Sequence, residues 1–591
     1  MATPVASLGG SNERYAGGGR AVSPAGEARR DAPLDSEGKV IQLVSRITFG
    51  PRPGDLERVR DLGLKTFLDQ QLHPERLEDS AVETRLANLP TLSMTTSELI
   101  RKYPAPNQLQ LQQTRMLAES AGQPAAGASA ATMAPSMEAM AAARASDTSF
   151  EVLTELGQEG LLRAIYSERQ LNEVMVRFWM NHFNIFAQKG PDKWMLTSFE
   201  RDTIRPHALG KFEDLLVATA QSPAMLFYLD NWMSSAPGSN PAPPLLGRRE
   251  AFGGWRRFGG AFMPAGFLGG PNEPGFLKAA GPNGQKRGLN ENYGRELMEL
   301  HTLGVDGGYT QHDVTELARC LTGWTVRRPR EEAEFFFNPR VHDEGPKTLL
   351  GHKITAGGID DGRQALHILA THPSTSRFIS TKLCRRFVAD DPPGSLVDLT
   401  SQEFARTNGD VRSVLKTILT SPEFYSEAAY RAKVKSPFEM VASTLRALGA
   451  ETEAARPLFG LMARMGEPPF QYQAPAGYAD QASTWISSSS LLARLNFASS
   501  IVSNGIPGTQ VNLGTTAGNG SPGSVVDDLS RRLTGGTLSH SSRQAILSSL
   551  QSIHGPGASA PEGPPTDESE SFATAATIAA LVIGSPEFQM R

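Results

Sequence analysis

Cysteine is almost missing: Cys320 and Cys384 are the only two among 591 residues, and they lie far from any CxxC spacing. A disulfide framework and a cysteine zinc site are thereby excluded, which leaves two buried thiols or one long-range bridge. Long apolar runs are missing too, since no stretch approaches the roughly 18 residues a membrane-spanning helix needs. There is no basic surplus, with 58 Lys and Arg against 62 Asp and Glu for a net charge of −4. No basic stripe is interleaved with aromatics, which argues against nucleic acid as a partner. Phosphate loop, dinucleotide fingerprint, nucleophile elbow and zinc signature have no counterpart in the chain. The opening stretch MATPVASLGGSNERYAGGGR carries neither a basic region nor an apolar core, so it predicts a chain without a classical leader.

Helical periodicity is what remains. Apolar residues recur at spacings of three and four from Val40 onward, and such a stripe marks amphipathic helices. The fold class predicted is mainly α, one large multi-helical domain over 38–506 with at most a few short strands, Glu334 to Phe337 being the best strand candidate. Residues 1–37 are rich in Gly, Ala, Ser, Pro and charge, 107–146 form an Ala/Met/Ser-rich insertion, and 234–288 repeat Gly, Pro and Phe. These compositions predict disorder, with 234–288 also placed as a flap beside the central helix. A Gly/Ser/Pro-rich linker with short helices over 507–570 and a C-terminal helix over 571–591 packing back on the domain complete the plan. Two apolar helices close in the same Ser-Pro-Glu-Phe tetrapeptide, at Ser421 to Phe424 and Ser585 to Phe588. Proline ends each helix there and phenylalanine folds back as an anchor.

The densest set of chemically capable side chains lies in Asn290 to Val326, NENYGRELMELHTLGVDGGYTQHDVTELARCLTGWTV. On a regular helix of about 100° per residue, Glu291, Arg295 and Glu299 share one face, and His301 lies about 140° to 160° away from Glu296 and Glu299. The acids and His301 therefore cannot share a metal ion while the helix is regular, and only a distortion near Gly304 would bring them together. Salt-bridged solvent face and site are both open readings of the acids. Asp313 is placed at the head of a second helix, Val314 to Thr322.

The run Asn290 to Val305, followed by Gly-Tyr-Thr-Gln, Asp-Val, Glu-Leu-Ala-Arg and Leu-Thr-Gly-Trp, closely resembles the signature of a large bacterial family, the domain of unknown function 1800. The resemblance extends to Phe49–Gly54, Trp179–Phe183, Tyr228–Asn231 and His342–Asp343, and so to most of residues 40–500. Cys320 departs from the small apolar residue of that signature. The resemblance implies no settled chemistry. It implies export for many members and a sulfatase-like protein encoded nearby as a partner, which sets it against the leaderless reading of localisation.

Further candidates lie elsewhere. His182 sits in the aromatic run RFWMNHFNIF, Asp230 at a helix end, and His342 and Asp343 in a loop. Imidazole titrates near neutrality and suits acid/base work or metal ligation; each of these residues has a structural reading as a core histidine or helix cap. Phe470 to Asn496 sets aromatic and small polar residues before a final amphipathic helix, which has two readings, the lining of a groove for a glycan or peptide and ordinary core. Two functions follow. One is an enzyme with a His/carboxylate, metal-assisted hydrolytic centre built from His182, Asp230, Glu296, Glu299, His301, His342 and Asp343. The other is a non-catalytic helical scaffold in which the same groups fix helix packing.

Overall fold

Helix starts are encoded locally. Thr95 with Glu98, Thr310 with Asp313, Ser436 with Glu439 and Ser487 with Ser490 form reciprocal capping boxes, which satisfy N–H groups that a first turn leaves without acceptors. The computed structural model describes residues 32–105, 148–239, 288–513, 521–553 and 568–591. Over these the chain is mainly α-helical. The strands form three antiparallel pairs: Trp324–Arg327 with Glu334–Phe337, Lys347–Leu349 with His352–Ile354, and Glu451–Thr452 with Thr509–Gln510. The segments expected to be disordered, 1–37, 107–146 and 234–288, lie wholly or mostly outside the described residues.

All 12 residues of the helix Pro437–Leu448 are buried, as befits a helix apolar on every side but for a few groups. Two of those residues, Glu439 and Arg446, carry charge into the interior, where each needs partners. Arg446 finds four: its Nε donates to Gly50 O at 2.5 Å, Nη1 to Ile165 O at 2.7 Å and Ala164 O at 3.4 Å, and Nη2 to Asp55 Oδ2 at 3.1 Å. The Phe49–Gly54 loop is thereby held against the chain's middle. Glu439 pairs with Arg386 at 2.7 Å and Arg591 at 3.1 Å. One helix thus ties together segments from both ends of the sequence.

A single apolar cluster runs from Val40 to Phe588. Phe424 and Phe588, the anchors of the two repeated tetrapeptides, are both buried, and their helices stop at Leu419 and Gly584, ahead of the Ser-Pro step. The helix Glu568–Gly584 packs on Ser488–Val502 and Pro522–Thr534. Backbone bonds finish the seams, with Leu34 N–H donating to Tyr425 O at 2.8 Å and Arg591 N–H to Lys433 O at 2.8 Å. Cys320 and Cys384 are buried free thiols. Among the described residues no helix is long and apolar enough to cross a membrane.

Replacing Arg446 by Leu removes the donor to three buried carbonyls, those of Gly50, Ala164 and Ile165, and takes the buried cation away from Asp55, which keeps Arg52. A stability loss of about 3–5 kcal/mol is expected, read as a lower urea midpoint, and Arg446→Lys, which cannot reach all these acceptors at once, recovers only part of it.

Candidate functional site

The helix Gln170–His182 ends in a stretch that alternates buried rings with polar side chains. Trp179 and Phe183 are fully buried, and the Trp179 indole donates to Ala208 O at 2.9 Å. That leaves Asn181, His182 and Asn184 at the helix end. Asn181 donates to Tyr478 O at 2.9 Å and accepts from Tyr478 N at 2.8 Å. Asn184 donates to Tyr472 O at 3.0 Å and Ala474 O at 2.8 Å. These four bonds clasp the loop around 470–481 over the helix end. Gly477 is required at the closest approach, because its φ is +67° and a Cβ there would stand 2.1 Å from Asn181 O.

Between this helix end, the clasped loop, the helix Pro373–Phe387 and the start of Pro437–Leu448 lies a cavity of about 540 Å³, within the size range of small-molecule sites. Tyr472, Tyr478 and Trp485 form a continuous aromatic wall, with ring centroids 4.2 Å and 5.2 Å apart. Most lining charges are paired internally: Arg177 with Glu467 at 3.0 Å, Arg386 with Glu439 at 2.7 Å, and Arg205 with Glu173 and Glu200 at 2.7 Å each. Lys382 and Arg385 also line the cavity and make no ion pair with a carboxylate among the described residues.

His182 is the one predicted site residue that lines this cavity. Its Nε2 lies 3.1 Å from His301 O and its Nδ1 2.9 Å from Lys382 Nζ. The carbonyl accepts only from an Nε2–H, so Nδ1 is left as the acceptor for the ammonium. Burial, then the neighbouring Lys382 and His301, hold the His182 pKa well below its ordinary value and keep the ring neutral. Burial pushes Lys382 down to about 8, with Arg385 acting in the same direction and Asp480 against it.

The stretch 290–302 departs from a regular helix. Asn292–Glu296 is α-helical, and Leu297–Thr302 widens to a π-turn in which Leu303 N–H reaches back five residues to Met298 O at 2.8 Å. His301 is fully buried beside Phe183, at 5.0 Å, and His182, at 6.0 Å between ring centroids. Burial and Lys382 push its pKa down to about 3. Glu296 and Glu299 stand apart from it: Glu296 is buried near Tyr228 and Glu299, and Glu299 hydrogen-bonds Tyr309. In place of the salt-bridged face that was one of the two readings of Glu291, Arg295 and Glu299, Glu291 and Arg295 form hydrogen bonds to the next helix. Arg295 donates to Gln311 Oε1 at 2.7 Å, and Glu291 accepts from Gln311 and Thr315 at 2.7 Å each. That next helix, Gln311–Cys320, begins two residues before Asp313, which serves as the third residue of its capping box.

Asp230, at φ +61°, pairs with Lys189 at 2.9 Å. Beside them Asp192 is fully buried with both carboxylate oxygens unpartnered, and burial raises its pKa well above the usual range. His342 and Asp343 belong to a third cluster. His342 Nδ1 lies 2.8 Å from Thr322 O and Nε2 3.2 Å from Asp361, which also accepts from Lys347 at 2.7 Å. Asp343 takes a bidentate grip from Arg319 at 2.8 Å and 3.0 Å. Among the described residues no three His, Cys, Asp or Glu side chains gather as a metal-ligand set. Sequence reasoning passed over Lys382, Arg385 and Asp192. Basic residues near a helix C-terminus complement the helix dipole, so nothing in the local sequence sets Lys382 and Arg385 apart; the fold places both in the cavity wall.

The class defined here is a mainly helical protein enclosing a cation-lined cavity against an aromatic wall. A family model described as "Protein of unknown function (DUF1800)" matches residues 42–590, and the chain belongs to that family. No curated protein and no solved structure matches it.

Burial, with Glu299 adding to it and Arg295 opposing, raises Glu296 from 4.5 to about 7. The folded state therefore holds this proton more tightly than the unfolded chain. The resulting stability is fully present below about pH 4.5 and is lost as pH rises through about 7. Glu296→Gln should flatten that fall, by up to about 3 kcal/mol, in chemical denaturation followed between pH 4.5 and 7.

Proposed function

We propose that the chain is an enzyme whose proton-transfer group is Lys382, positioned by His182, acting on a polar organic ligand held in the cavity. The observation that carries this reading is the 2.9 Å contact of Lys382 Nζ with His182 Nδ1 at the wall of the cavity. His301 O fixes the ring from behind, so the imidazole lone pair aims the ammonium. The titratable and charged groups that bear on Lys382 are His182, His301, Asp480 and Arg385. With its pKa near 8, about a tenth of Lys382 is free amine at pH 7. A free amine can take a proton or attack a carbonyl, and its ammonium form can return the proton to a leaving group. This amine–imidazole pair takes the place of the metal-assisted His/carboxylate centre in the reading, with Asp480 as the carboxylate that acts on Lys382.

A second reading, a scaffold acting with a sulfatase-like partner, has one observation on its side: Arg205, Arg386 and Arg446 are all committed to internal acceptors.

Lysine-selective acetylation at graded pH, mapped by peptide mass spectrometry, tests the enzyme reading. Lys382 should titrate near 8, alongside Lys435, which burial pushes down to about 7; titration of Lys382 above 10 would remove it as a proton-transfer group. In any turnover assay kcat/KM should fall as pH rises through about 8, where the ammonium that donates the proton is lost, and Lys382→Met and Lys382→Arg should each lower kcat by at least about 100-fold.

A further inference from the structure

The geometry points to a ligand that carries an oxyanion, a carboxylate or a sulfate or phosphate ester, bound between Lys382 and Arg385 with its ring-bearing body against Tyr472, Tyr478 and Trp485. The inference rests on the cavity being the functional site and names what it takes. Lys382 and Arg385 stand one turn apart on Pro373–Phe387, both half-buried and both lining the cavity. A half-buried cation without a counter-ion is costly, and the nearby carboxylates are engaged elsewhere. Asp480 and Asp390 both pair with Lys433, at 2.9 Å and 2.5 Å. Glu467 pairs with Arg177 and accepts from Phe438 N at 2.8 Å.

Arg385 is also aimed. Its Nε donates to Asp390 O at 2.9 Å, which fixes the guanidinium plane and leaves its terminal nitrogens as a fork for an oxyanion. Lys382 adds a point charge whose direction His182 sets. The aromatic wall offers flat apolar surface with polar tips, the surface that a ring with hydroxyl groups packs against. The bound oxyanion favours the ammonium, so binding at pH 8 draws a proton onto the fraction of Lys382 that is free amine. In the complex Lys382 is the proton donor.

Isothermal titration calorimetry on the full chain tests this with glucuronate against glucose, and with acetate, sulfate and phosphate as bare anions. Glucuronate is expected to bind at least tenfold more tightly than glucose, or, if the site prefers an ester, sulfate or phosphate to bind where acetate does not. Arg385→Leu and Lys382→Met should each weaken the bound probe at least tenfold. At pH 8, buffers of different ionisation enthalpy should report proton uptake on binding. Lys382→Arg separates the two readings, because it keeps the cation and removes the group titrating near 8. Retained binding in that variant without proton uptake supports both. Glucuronate and glucose binding alike, or none of the probes binding, overturns the oxyanion site whatever the Lys382 titration shows.

Discussion

Charge carried into the interior, and the need of every such charge for an acceptor, is the constraint on which this structure depends. Pro437–Leu448 is buried on all sides yet holds Glu439 and Arg446. An unpaired guanidinium there would cost several kcal/mol, so the Phe49–Gly54 loop, the end of Ser149–Tyr166 and Asp55 are drawn to Arg446. Glu439 in the same way draws in Arg386 and Arg591. Residues nearly 400 positions apart, such as Gly50 and Arg446 with a separation of 396, become neighbours because a charge has to be solvated by the protein itself.

The cavity follows the same rule and contains its exception. Arg177, Arg205 and Arg386 each meet a carboxylate. Lys382 meets an imidazole, and Arg385 a backbone carbonyl. A neutral ring is a weaker counterpart for an ammonium than a carboxylate, so burial prevails and the Lys382 pKa falls to about 8. The clasp of Asn181 and Asn184 on the 470–481 loop holds the loop that lines the same cavity as these cations. Positioned, under-compensated charge inside a cavity is a common mark of functional sites.

Legibility differed from residue to residue. The strand at Glu334–Phe337 and the anchoring of Phe424 and Phe588 could be read from local pattern, because a run of aromatic residues, proline and a following ring act within a few residues. His182 could be singled out from its aromatic surroundings, although its partner Lys382 lies 200 residues away and carried no signal of its own. The 290–302 stretch was read with regular helical geometry, and a π-turn replaces that geometry from Leu297. Residues after Leu297 then leave the faces that a regular helix gives them, and the seven sequence candidates divide among the His182/His301 pair, the Asp230 and Glu296 surroundings, and the His342/Asp343 cluster.

The amino-acid sequence by itself determined the mainly helical class, the helix caps, the absence of cysteine and membrane-spanning frameworks, and the family signature. All of these depend on composition or on neighbours within a turn or two. Tertiary structure decided which polar groups meet. Burial and partner choice are properties of surfaces brought together from distant parts of the chain, so a lysine in a basic helical run came to stand against His182 at the cavity wall, 200 residues away in sequence.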